Sequence, residues 1–266
     1  MRELKDRFMA FSSLVAMILA LIPILSLLAV TLVEGAWRIS PSFLINEPAP
    51  PGQGGGIGNA IQGTFMMIVV AAAIGISVGI CSGIYMAEYS QKSHILEIFT
   101  DVMAGVPSII LGLVVFLILV RFIGFSALAG GVALSLIMIP IVARSTEEAL
   151  KEVPNDVREA AAALGIPKWK AILYINLRAA EDGIKSGLLL STARALGEAA
   201  PLLFTAFGSQ FYSGINLLQP ASSMSLVIYT YGSSPWQDWR GMAWGTALLL
   251  LLITAFMSVF SRRRSR

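Results

Sequence analysis

A chain of 266 residues that is 56% hydrophobic and only 13% charged, with a mean hydropathy of +0.76, is too apolar for a soluble globular domain and reads as a polytopic membrane protein. Its net charge of +3 and pI of about 9.1 do not point to nucleic acid, because the basic residues gather at membrane flanks. A single cysteine, Cys81, and a single histidine, His94, exclude an intrachain disulfide and a Cys/His metal centre, and no G-x-x-x-x-G-K-[ST] loop is present to cradle ATP phosphates.

Six apolar segments are each long enough for a hydrocarbon core of about 30 Å: 8–33, 63–87, 102–120, 126–143, 183–208 and 241–260. The first follows "MRELKDR", is too long for a signal-peptide h-region and lacks an A-x-A end, so it is expected to be a retained helix. In the second, Gly75, Gly79 and Gly83 recur every four residues and let another helix backbone come close. Gly105, Pro107 and Gly112 invite a kink in the third, although such residues are common in membrane helices and an ordinary span is the plainer reading. His94, in "SQKSHIL", reads as a surface-loop residue.

Lys and Arg set the orientation. Arg38, Arg121 and Arg240 fall on one side and Arg194 inside a span; all the others lie in the N-terminal flank, at Lys92, in the connection 144–185 or in the tail "RRRSR". Both termini are therefore expected to be cytoplasmic. On the opposite side, "NEPAPPGQGGGIG" reads as a flexible loop, and the long connection after 208 holds an apolar piece too short to span, expected at the outer interface.

The cytoplasmic connection "VPNDVREAAAALGIPKWKAILYINLRAA" reads as two short helices. Asp156 and Glu159 have capping-box spacing, the alanines that follow favour helix, Gly165 supplies a left-handed stop, and Pro167 suits the first turn of the second helix. A first helix of about two turns is marginal alone and needs a partner surface.

These residues resemble the cytoplasmic signature of ABC-importer permeases: Glu159, Ala160, Ala161, then Gly165, then Ile175 and Leu177, with Arg178 where the family pattern has proline. The resemblance implies an all-α transmembrane fold, a six-helix type I importer permease forming one domain over 1–266, whose coupling helix within 154–178 inserts into an ATPase subunit. It also implies two ATPase copies, a second homologous permease subunit and an extracytoplasmic binding protein, with ATP used by those partners and no cofactor held by this chain.

The fifth segment places Arg194 and Glu198 near mid-span, where an arginine costs about 2.5 to 3.5 kcal/mol on insertion scales and must face protein or water. Their i, i+4 spacing permits a pair on one helix face, and Pro201 can bend the helix beside it. A structural ion pair and a cation that meets a crossing anion are both open readings. Likewise, Arg144 is either a second station for the anion or an interfacial positive-inside residue. The stretches "STARALGEAAPLLFTA" and "IPIVARSTEEALKEVP" are similar to phosphate-importer permeases of the PstA type, which implies inorganic phosphate as cargo and a phosphate-binding protein as donor. Another oxyanion such as sulfate or molybdate is the nearest alternative. A secondary transporter would commonly show inverted repeats, and an intramembrane enzyme would need a nucleophile and base at matching depth; neither is seen.

Overall fold

The computed structural model describes residues 2–264, and within them the side chains of all but 2–4, 90–93 and 260–264. The inner-side charges assigned to Arg2, Lys92, Arg262, Arg263, Arg264 and Arg266 lie outside the described side chains. Among the described residues every regular element is helical. The long ones are α1 (Arg2–Ala36), α3 (Gly58–Glu88), α6 (Ala127–Lys151) and α12 (Gln237–Arg264), with a short α2 (Pro41–Ile45) between the first two.

The bundle is organised around α3 and α6, and the glycine ladder explains why. A Cβ on Gly75 would stand 2.8 Å from the Cβ of Met138, one on Gly79 2.6 Å from the Cβ of Val142, and one on Gly83 2.6 Å from the carbonyl oxygen of Ala143. Only hydrogen fits at those distances, so the two helices lie in close contact over about two turns. Met67, Leu134 and Met138 fill the core beside this seam. α6 begins where Ser126 Oγ accepts the backbone N–H of Ala129, an N-cap that fixes its first turn. The opposite extreme is α1, whose apolar stretch is only 6% buried.

The third expected span is not one helix. α4 (Ser90–Gly105) and α5 (Ser108–Ile123, with a π-turn at Phe116–Val120) meet at a bend of 103°. Pro107 forces the residue before it out of the helical region, and Val106 accordingly sits at φ −71, ψ 130. The ordinary-span expectation is thus corrected, and His94, expected in a loop, is an exposed residue of α4.

The fifth expected span, 183–208, is interrupted as well. After α7 (Asn155–Ala163) and α8 (Lys168–Ala171, continued by a π-turn at Ile172–Asn176 into Leu177–Ala179), the chain enters α9 (Glu181–Leu196), which stops ten residues after Ser186. Gly197 and the missing N–H of Pro201 end it, and the chain resumes in the single turn of α10 (Leu202–Thr205). At 1.5 Å per residue, the 16 residues of α9 cover about 24 Å, short of a full crossing. Among the described residues four helices are therefore long and apolar enough to span, five if the bent pair is one span, and α9 is too short to be one of them.

The outer loops are more ordered than their composition suggests. In the Gly/Pro loop, Gly52 N–H donates to Asp238 Oδ2 at 2.9 Å, Gly56 N–H to the carbonyl of Glu47 at 3.0 Å, and Trp239 Nε1 to the carbonyl of Ala49 at 3.2 Å, which replaces the expected flexible loop. The short apolar piece is α11 (Met224–Gly232); its residues Met224, Leu226, Val227 and Tyr231 are buried in the bundle, and Tyr231 stacks on Trp239 at 4.7 Å.

Candidate functional site: an intramembrane arginine and a cytoplasmic docking helix

Arg194 occupies the last turn of α9, and its side chain is 61% exposed on the chain taken alone. Glu198 lies past the helix end, so the two do not share a regular helical face; even so, Arg194 Nε and Glu198 Oε1 stand 3.8 Å apart. That is ion-pair distance without a hydrogen bond. The Glu198 backbone is fixed while its carboxylate is not locked: its N–H donates to the carbonyl of Ala195 at 3.2 Å, and its carbonyl accepts Ser225 Oγ at 2.9 Å. The negative end of the α9 dipole adds a further weak counter-charge beside the guanidinium.

Arg194 also lines a recess of about 310 Å³ whose wall is the break in the third span, Gly105 to Ser108, together with Pro140 of α6. The first turn of α5 begins there without a side-chain cap; Ile110 N–H donates to the Pro107 carbonyl at 2.9 Å, and the N–H groups before it lie ahead of any partner within the helix. Sequence reasoning did not pair Arg194 with this break, 86 residues away; the only available signal was that the proline-broken span and the charged span both interrupt a helix at membrane depth.

Arg144 is in different company. Its Nε donates to Asp101 Oδ1 at 3.1 Å, its Nη2 reaches the same oxygen, and its Nη1 donates to Glu147 Oε2 at 2.8 Å. Glu147 is only 2% exposed and takes Lys151 Nζ on its other oxygen at 2.6 Å. The guanidinium thus ties α4 to the C-terminal part of α6, with N–H groups on two of its edges committed to carboxylates. Arg144 does not line the Arg194 recess.

The connection between α6 and α9 forms the two helices expected of it. Gly165 adopts φ +69, its N–H donates to the carbonyl of Ala162 at 2.9 Å, and that of Ile166 to Ala161 at 3.1 Å, which is the double bond of a Schellman stop. The capping box does not form: α7 starts one residue after Pro154, with no side-chain cap, so Asp156 lies within the first turn and favours the positive helix end by charge alone. Pro167 likewise precedes α8 instead of opening it. Glu159, Ala160 and Gly165 are exposed and Ala161 is buried, while the large apolar side chains of Leu164, Trp169 and Tyr174 in the same connection are exposed.

Residues 75–265 match the family of binding-protein-dependent transport system inner membrane components. The phosphate transport system permease protein PstA of Pasteurella multocida (strain Pm70) is 40% identical over 265 residues, spanning 98% of this chain and 94% of its own length. That of Xylella fastidiosa (strain Temecula1) is 45% identical over 218 residues, covering 80% and 76%. The chain belongs to the PstA family of transport permeases. Among solved structures, a bacterial alginate ABC transporter chain matches at TM-score 0.65 and 15% identity over 100% of this chain and 96% of its own. An inward-facing MetNI methionine ABC transporter chain matches at 0.62 and 19% over 78% and 93%. These place the fold among ABC permeases, and the family makes the chain a multi-pass transport component of the inner membrane.

Proposed function

We propose that this chain is one of two permease halves of an ATP-driven importer that moves inorganic phosphate into the cytoplasm. A phosphate-binding protein delivers the anion from outside, two ATPase copies dock on α7 and hydrolyse ATP, a second homologous permease closes the open side of α9, and both termini are cytoplasmic. The observation that carries the reading is the recess at Arg194. There a guanidinium faces the uncapped start of α5, two groups that both favour an oxyanion.

Glu198 accounts for release and for choice of cargo. A carboxylate 3.8 Å from the guanidinium competes with the anion, so the anion is held loosely enough to leave. Protonated phosphate keeps an O–H with which to bond that carboxylate, whereas sulfate has none and meets only repulsion. Arg144, held by two carboxylates, supports this path as a brace for α4 and α6.

The test is uptake of labelled phosphate by the reconstituted complex. Replacing Arg194 by Leu removes hydrogen bonds to a charged group, each worth about 1.5–3 kcal/mol, and uptake should fall roughly tenfold to a hundredfold with assembly intact. Normal uptake by assembled Arg194→Leu complexes refutes the assignment. Uptake inhibited equally by sulfate and phosphate refutes the choice of cargo.

A further inference from the structure

Glu88 is the last residue of α3, and its side chain is only 5% exposed. A buried carboxylate at the negative end of a helix is doubly unfavourable unless it is firmly partnered. Its partners come from two other elements. Arg158 of α7 donates Nη1 to Glu88 Oε1 at 2.5 Å, and Asn176 of α8 donates Nδ2 to the same oxygen at 3.0 Å. Lys168 of α8 adds a hydrogen bond to the Glu88 carbonyl at 2.6 Å while its ammonium lies 4.3 Å above the ring of Tyr89. Arg158 has a second anchor, the carbonyl of Leu150 at the C-terminal end of α6, at 2.7 Å from Nη2.

The backbone around α7 is poorly suited to carry force. At one end Pro154 is extended, at ψ 141, and at the other Gly165 is left-handed, so both joints are turns and not continuous helix. Nine residues of helix between two turns can rotate as a unit. What holds α7 to the membrane domain is therefore side-chain chemistry, and Arg158 grips the ends of both members of the central helix pair at once. That pair is locked along its length by the glycine ladder, so a pull on Glu88 moves α3 and α6 together.

We propose that the Glu88–Arg158 ion pair is the strut that transmits displacement of the docked α7 into the α3/α6 pair. It rests on the importer reading above, and Glu88 acts as a positioning residue that touches neither ATP nor cargo. Removing the pair should leave assembly and ATP hydrolysis in place while the phosphate moved per ATP falls.

The experiment measures labelled phosphate uptake and ATP hydrolysis on the same reconstituted complex, for the wild type, Glu88→Gln, Arg158→Gln, and the double substitution Glu88→Leu with Arg158→Met. The double variant replaces the buried pair by apolar groups, which commonly preserves folding, so it decides the matter if a single substitution prevents assembly. Phosphate per ATP should drop about tenfold, as expected for loss of one coupling interaction, and by the same factor in the single and double variants. A merely structural pair would lower assembly and thermal stability and leave that ratio unchanged. Unchanged phosphate per ATP in an assembled Glu88→Gln or double-variant complex overturns the proposal. Failure of the wild-type complex to move phosphate on ATP would instead overturn the importer reading.

Discussion

Gly165 offers a substitution whose cost can be worked out cleanly. Its backbone sits at φ +69, and nothing lies within 4 Å of where a Cβ would point, so replacement tests conformation without crowding. Alanine in the left-handed region costs about 1–2 kcal/mol. That is a factor of roughly 5–30 in an equilibrium constant. Asparagine visits the same region at little cost. The bonds at risk, from Gly165 N–H to Ala162 and from Ile166 N–H to Ala161, close a nine-residue helix that is marginal by itself, so the penalty falls on the population able to dock. Titrating a purified ATPase subunit onto the reconstituted permease should show the Kd rising about 5–30-fold for Gly165→Ala, and less than about threefold for Gly165→Asn. Equal affinity for the wild type and the alanine variant would refute the reasoning.

Two further outcomes follow from the helix seams. Gly79→Ala puts a Cβ 2.6 Å from that of Val142 and should lower stability by about 1–3 kcal/mol, seen as a lower Tm in detergent and recovered in part by Val142→Ala. Arg144→Gln takes the cation from Asp101 and leaves the buried Glu147 with Lys151 alone, so α4 should loosen from α6; limited proteolysis should cut within α4 faster in this variant than in Lys151→Gln.

Features with a local cause were legible in the sequence. Gly75, Gly79 and Gly83 announce a close helix contact because spacing alone places them on one face, and Gly165 announces a stop because few residues tolerate its conformation. The interruptions at Val106 and Gly197 were half legible: Pro107 and Pro201 pointed to a kink and a bend, but a window of hydropathy averages across one proline or glycine and reports an unbroken span. The capping box failed by register: Pro154, lacking an N–H, ends the extended stretch two residues before Asp156, so the helix had already begun. The Arg194 recess and the Glu88 cluster join residues dozens of positions apart, and no local pattern records that. Glu88 stood in plain view at the end of an apolar run, where a flanking charge is ordinarily read as solvated.

On the chain taken alone, the first helix is uncovered along nearly all of its surface. Among its described residues only Thr31 and Gly35 are buried, one turn apart, where Gly35 meets Trp244 and Leu248 of α12. Its apolar segment, 8–33, is about 39 Å long at 1.5 Å per residue, beyond a hydrocarbon thickness of about 30 Å, so it must lean or protrude. A helix held to the bundle at so small a notch is free to set its slant by the thickness of the bilayer around it. Drift in its sequence is then tolerated wherever oiliness is kept, and intolerance concentrates at positions 31 and 35.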